Sequence, residues 1–192
     1  MTVTLSKGQR VSLEKRGGGT LTRVRMGLAW DAVKKKGLFG SRSQSIDLDA
    51  SALLFDAGGQ LVDQVWFRQL DSKDGSVHHT GDNLTGDGDG DDESIQVDLS
   101  RLPSHVTTLV FTVNSFNGQD FSQIENASCR LLDETGGDTE IAKYNLTGSG
   151  RHTAQIMAKV SRDGAGWSMT ALGIPASGRT FRDLLPALAG TI

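Results

Sequence analysis

Apolar residues recur at every second position along most of the chain, the period of strands with one buried face. Val11 and Leu13 form a short first pair, and Val24, Met26, Leu28 and Trp30 share one face of a longer run ending at Asp31. Gly17-Gly18-Gly19 marks the turn between them. Residues 34–43, opening on Lys34-Lys35-Lys36, lack apolar alternation and read as a basic, polar loop. Ile46, Leu48, Ala50, Ala52 and Leu54 then alternate with Asp47, Asp49 and Ser51, and Asp56-Ala57-Gly58-Gly59 turns the chain into a run over 61–67. Ile95, Val97 and Leu99 resume the pattern, followed by runs at 109–113, 127–132, 141–146, 156–160 and 167–172. So many short strands with so little helical signal predict an all-β fold, an antiparallel β-sandwich. Only the C-terminus departs from it. Phe181, Leu184, Leu185 and Leu188 have helical spacing, which predicts a short helix within 177–192, with Ser177 as N-cap and a break near Leu185 imposed by Pro186. That helix reads as a lid on the sandwich edge, or as an amphipathic docking face.

Composition narrows the class. At 192 residues and 20.5 kDa the chain is expected to form one domain, 1–192, with a sizeable core. Mean hydropathy is −0.29 and no apolar run approaches a membrane span. The N-terminus has no apolar segment of the secretory kind, and a single cysteine forbids an internal disulfide, so a cytoplasmic location is expected. A net charge of −3 argues against a nucleic-acid binder.

That charge is unevenly placed. The stretch from Gly81 to Glu93 holds Asp82, Asp87, Asp89, Asp91, Asp92 and Glu93 with no Lys or Arg, so the remainder of the chain sums to +3 (−3 minus −6). Crowded carboxylates repel, and folding them together costs free energy unless a cation neutralises them. Calcium takes six to eight oxygens from carboxylates, Asn side chains, carbonyls and water, and the loop offers those short oxygen arms between glycines. The alternative is a solvated acidic turn. Neither an EF-hand frame nor a tandem nonapeptide fits, and six carboxylates would repel a phosphate. The cation reading takes Asp82, Asn83, Asp91, Asp92, Glu93 and Asp89 as candidate ligands, with Asp87 as a ligand or only a contributor to the field.

Asp47 and Asp49 lie two apart on a predicted strand and project to one face, opposite Ile46, Leu48 and Ala50. That face is a half-site for the same ion or simply a wet surface. Asp31 and Asn114, at strand ends, are weaker candidates to line that end. His78 and His79 would point to opposite faces of a strand and so rarely share one ion; turn residues of no special role is the plainer reading. Cys129 alternates with Ala127 and Leu131 and reads as a buried small hydrophobe, which disfavours a redox enzyme. A metal-dependent phosphoester hydrolase lacks an evident general base and arginine cluster.

Several ordered motifs together resemble the TerD family of tellurite-resistance proteins. They are the Ser-Leu pattern in the first thirteen residues, Gly27-Leu28-Ala29-Trp30-Asp31, Ile46-Asp47-Leu48-Asp49-Ala50-Ser51-Ala52, and Gly81-Asp82-Asn83 through Gly90-Asp91-Asp92-Glu93. The likeness spans nearly the whole chain, and the insertion at 34–43 is most similar to the TerZ-type branch. The resemblance implies a calcium-binding β-sandwich holding one or two Ca2+ ions through the acidic and Asp-Leu-Asp motifs. It further implies a non-enzymatic, cytoplasmic protein that stands alongside other Ter-type stress proteins and a TerC-like membrane protein. Apart from the resemblance, an anionic lipid headgroup completing the calcium shell would bring the protein to the inner membrane face, which is the variant reading.

Overall fold

The structure is a computed structural model that describes residues 3–4, 6–15, 18–31, 33–37, 40–44, 46–84, 90–146 and 150–192. The described strands are β1 (Val3–Thr4), β2 (Arg10–Ser12), β3 (Arg23–Asp31), β4 (Val33–Gly37), β5 (Gly40–Gln44), β6 (Leu48–Asp56) and β7 (Leu61–Val65). They continue with β8 (Val77–His79), β9 (Glu93–Asp98), β10 (Val106–Ser115), β11 (Glu125–Asp133), β12 (Thr139–Asn145), β13 (Ala154–Asp163) and β14 (Gly166–Ala176). One helix, α1 (Phe181–Leu188), follows.

Two six-stranded sheets face each other, in the orders β1-β12-β11-β3-β9-β8 and β2-β14-β13-β10-β6-β7. Every pairing within them is antiparallel except β1 on β12. The expected sandwich is present.

The period-two residues build the layer between the sheets. Val24, Met26, Leu28 and Trp30 of β3, Ile95 and Val97 of β9, and Leu48, Ala50, Ala52 and Leu54 of β6 belong to one buried cluster with Leu109, Phe111 and Val113 of β10. Each buried Leu or Phe contributes roughly 1.5–3 kcal/mol relative to exposure. A second cluster lies on the opposite face of the second sheet, where Leu53, Phe55, Val110 and Ile156 pack against Trp66 and against Phe181, Leu184 and Leu188 of α1. The helix is therefore a lid, laid on a face of the sandwich.

Four sequence expectations need correction. Residues 34–37 and 40–43 are not a loop: β4 and β5 form a hairpin in which Lys34 faces Ser43, Lys35 faces Arg42 and Gly37 faces Gly40. With polar residues on both faces, that hairpin carries no apolar alternation to read. Helix α1 begins at Phe181 with Thr180 as N-cap, not Ser177, and the Asp183 carboxylate accepts bonds from the Arg179 and Thr180 N–H groups at 2.8 and 3.0 Å. Nor does Pro186 end the helix, which runs on to Leu188. The proline forfeits one bond, to the carbonyl of Arg182, on an exposed face, while Leu184 and Leu188 stay buried at 0% and 1% exposure.

His78 and His79 are likewise strand rather than turn residues. Three residues are too few to show a period.

Burial, then, holds the helix against its own proline. Leu184→Ala is expected to lower the unfolding free energy by about 2–5 kcal/mol. Pro186→Ala should raise it by about 1 kcal/mol or more, since it restores a helical bond and removes a clash. Urea denaturation of both variants checks the two signs.

Candidate metal centre

The first residues of β6 and the chain after β8 meet at one end of the sandwich. The buried side chains of Ile46 and Leu48 fix this end of β6, and the Trp30 indole N–H donates to the Ile46 carbonyl at 2.8 Å. Phe116 N–H holds the Asp47 carbonyl at 3.0 Å. Across the gap, Thr80 N–H donates to Ser94 O (2.9 Å), and Ser94 N–H donates to the Thr80 hydroxyl (3.1 Å). These bonds run Thr80–Asn83 beside the start of β9. One oxygen each from Asp47, Asp49 and Asp82 then lies within 4.8 Å of the others. Asp47 and Asp49 are buried at 7% and 4% exposure, and Asp82 is exposed.

The electrostatics of this group are unfavourable for three bare carboxylates. Burial pushes the Asp49 carboxyl up to about 8, helped by the charges of Glu93, Asp47 and Asp82. Burial, then Asp82 and Glu93, lifts Asp47 to about 6. Asp47 Oδ1 and Asp49 Oδ2 are buried with no hydrogen-bond partner among the described residues. Buried carboxylate oxygens are ordinarily satisfied. Unpartnered oxygens of hard, anionic type converging from two chain segments fit a divalent hard cation of the calcium kind.

Other acidic residues of the loop are engaged differently. Glu93 is buried at 1% exposure and crosses from the first sheet to the second, accepting from Ala50 N–H at 2.8 Å and from Asn83 N–H at 3.1 Å. His79 backs it: Gly81 N–H donates to His79 Nδ1 (3.1 Å), so in the neutral ring the proton sits on Nε2, which lies 3.4 Å from Glu93 Oε2. Burial raises the Glu93 pKa, against the opposing pull of His79 and the two N–H donors. Asp92 accepts from Trp30 N–H and from the Asn83 side-chain amide, both at 2.9 Å. Asn83, Asp92 and Glu93 thus border the group of three and cross-tie the returning loop.

Asp91 lies on the other side of β9, with each of its oxygens on an arginine, Arg25 Nη1 and Arg130 Nε, both at 2.6 Å. Arg25 also meets Glu134 at 2.9 Å, and Arg130 approaches Glu140 at 3.7 Å. Gly27 makes room for this clamp, since a Cβ there would fall 2.2 Å from the Asp91 carboxylate. Asp31 sits at the exposed end of β3, where Asn126 donates to it at 2.6 Å, and the structure does not bring it into the group of three. Asp87 and Asp89 lie outside the described residues.

Sequence reasoning missed the arginine clamp and the buried His79. Arg25 and Arg130 occupy outward positions of ordinary strands, and nothing in their spacing names Asp91 as a common partner.

A pH dependence follows from the raised carboxyls. In the folded chain Asp47 and Asp49 keep protons that the unfolded chain releases near pH 4, so stability contributed by their protonated forms is lost as pH climbs from about 4 through 6 and 8. In EDTA the unfolding free energy should fall between pH 5 and pH 8.5 by an amount on the order of 3 kcal/mol. A flat profile in Asp49→Asn/Asp47→Asn beside a falling wild-type one would assign the slope to this pair.

Comparison with known proteins agrees with this architecture. A model of the TerD domain matches residues 1–187. Tellurium resistance protein TerZ of Serratia marcescens is 51% identical over 185 residues, covering 95% of this chain and 94% of that one. Stress response protein SCP2 of Bacillus subtilis is 39% identical over 199 residues, covering 96% and 98%. Among solved structures, a homologue of the telluride resistance protein TerD from Streptomyces coelicolor superposes with a TM-score of 0.68 at 22% identity, over 82% of this chain and 92% of that one, a likeness of fold. With that match along almost its entire length, the chain belongs to the TerD family of tellurium-resistance and stress-response proteins.

Proposed function

We propose that this protein is a calcium-binding, non-enzymatic interaction module of a tellurite- and chemical-stress-resistance system. The observation that carries the reading is the convergence of Asp82 with Asp47 and Asp49, whose buried carboxylate oxygens Oδ1 and Oδ2, respectively, have no partner among the described residues. These three would hold the ion, with Asn83, Asp92 and Glu93 bordering it, and a second ion is compatible with the number of carboxylates. A bound Ca2+ supplies two positive charges and oxygen coordination that hydrogen-bonding neighbours do not provide here. The consequence for the chain is a relief of repulsion at one end, which changes the local potential. A partner reads that change; other Ter-type stress proteins and a TerC-like membrane protein are the proposed ones, in the cytoplasm. The names of the relatives are those of resistance and stress proteins, which agrees with a binding role.

The thiol chemistry fits the same reading. Cys129 is buried, its Sγ rests 2.7 Å from Met26 Sδ, and burial followed by the charge of Asp91 pushes its pKa well up. A protonated, enclosed thiol is a poor nucleophile and a poor reductant.

The β4–β5 hairpin supports a second reading, calcium-dependent binding at an anionic membrane surface. It carries Lys34, Lys35, Lys36 and Arg42 without an acidic residue, and it joins β3 to the Ile46-Asp47 segment of the cation group. Basic residues contribute about 1 kcal/mol each near such a surface. No described helix is long and apolar enough to cross a membrane. Co-sedimentation with phosphatidylserine vesicles in calcium but not in EDTA would favour this variant over a purely protein partner.

Thermal unfolding tests the central proposal. Calcium at about 100 times its dissociation constant stabilises by roughly 2.7 kcal/mol, a rise on the order of 5–10 °C for a domain of this size. Asp49→Asn should abolish that rise and, at pH 8 in EDTA, unfold at a higher temperature than wild type. Asp91→Asn should behave otherwise: it leaves Arg25 and Arg130 without their shared carboxylate, lowers stability by about 3 kcal/mol with or without calcium, and keeps the calcium-induced rise. No rise for wild type with calcium or magnesium would sink the proposal.

A further inference from the structure

The strand that lies beside Asp49 carries a second set of unsatisfied oxygens. In the β6–β10 register, Asn114 faces Asp49 and Thr112 faces Ser51. All four residues are on the face that bears Leu53, Phe55 and Val110, because Leu48, Ala50, Ala52, Phe111 and Val113 take the interior. Asn114 is 0% and Thr112 1% exposed, yet Asn114 Oδ1 and Thr112 Oγ1, like Asp49 Oδ2, have no hydrogen-bond partner among the described residues. Directly opposed residues on one sheet face have Cβ atoms about 4.5–5.5 Å apart, which puts the Asn114 oxygen within side-chain reach of the carboxylate of Asp49.

The other end of the Asn114 amide is engaged. Its Nδ2 donates to the Gly178 carbonyl at 3.3 Å, and Gly178 N–H donates to the Thr153 hydroxyl at 3.1 Å. Gly178 also presses on the helix: a Cβ there would fall 2.3 Å from Asp183 Cβ, in the first turn of α1. One neutral side chain therefore stands between the carboxylate group and the segment that docks the C-terminal helix.

We propose that Asn114 Oδ1 is a neutral ligand of the cation held by Asp47, Asp49 and Asp82, and that Asn114 couples ion binding to the docking of α1 through Gly178. The inference rests on the calcium reading and deepens it. Asn side-chain oxygens are ordinary calcium ligands, and three carboxylates alone fall short of a shell of six to eight oxygens. An amide whose oxygen is fixed by the ion has its N–H directed, so the bond to Gly178 and the first turn of α1 become more ordered together. By linkage, a docked helix must in turn raise ion affinity by the same factor.

Two measurements on the full chain test this: calcium titration by calorimetry, and amide hydrogen exchange of residues 181–188 with calcium and with EDTA. In wild type, calcium should bind and slow exchange in α1 at least tenfold. Asn114→Leu removes the oxygen and the donor together; it should weaken calcium binding at least tenfold and abolish the exchange response. Asn114→Asp keeps a ligand oxygen but loses the donor to Gly178, so it should bind calcium at least as tightly as wild type while α1 no longer responds. If wild type binds no calcium, the proposed function falls and this inference with it. If wild type binds calcium while exchange in α1 is unchanged, or Asn114→Leu binds as wild type does, or α1 of Asn114→Asp still responds, the inference alone is overturned. Should Asn114→Leu fail to fold, wild type and Asn114→Asp still decide it.

Discussion

Like charges confined where water cannot reach them set the terms for this end of the molecule. Asp47, Asp49 and Glu93 are buried, with exposures of 7%, 4% and 1%, and burial raises the pKa of each. At the effective dielectric of a protein surface, two unit charges 4 Å apart repel by about 4 kcal/mol, a large share of the 5–15 kcal/mol that keeps a domain folded. Glu93 is compensated in place by two backbone N–H groups and the imidazole of His79. Asp47 and Asp49 are not, and protons or a cation must complete them.

The same loop contains an acidic residue with the opposite solution. Asp91 is nearly as enclosed, at 4% side-chain exposure, but two guanidinium groups saturate its oxygens on the outer face of the first sheet. That clamp joins β3 and β11 to the residue two before β9 and anchors the return of the chain, so Glu93 enters the interior in register with Leu28. Acidic residues adjacent in sequence thus separate into a structural tether on one side of β9 and a buried carboxylate group on the other. Regular alternation would put Asp91 and Glu93, two residues apart, on one face; Asp91 precedes the first residue of β9, and its pairing with two arginines takes it to the other.

The second sheet is asymmetric in a related way. Its inner face is mainly apolar, whereas its outer face passes from Phe55 and Leu53 under α1 to Ser51 and Asp49 at the carboxylate end. Helix α1, held by Phe181, Leu184 and Leu188, covers the apolar half, and Gly178 brings the chain preceding it to Asn114. The lid and the carboxylate group are therefore parts of one continuous surface rather than separate decorations of the sandwich.

Much of this was legible in the residues alone. Period-two alternation in Val24–Trp30, Ile46–Leu54 and Ile95–Leu99 dictated strands and their buried faces, because a strand with one apolar face has few other places to go. The crowding of Asp and Asn residues among glycines marked the acidic stretch, and the spacing of Asp47 and Asp49 put both on one side. Strand partners were beyond the sequence, since register is decided by packing between residues far apart in the chain. That register placed Asn114 opposite Asp49 and set Arg25 and Arg130 on Asp91, and it brought His79 behind Glu93. Tertiary packing also overruled two local signals, carrying α1 through Pro186 and pairing a polar segment into the β4–β5 hairpin. The sequence by itself determined which residues could be strand and core and where the acidic residues crowd. Only the folded chain decided which carboxylates were neutralised by arginine and which were buried without a partner among the described residues, because that choice depends on distances between segments that no local pattern encodes.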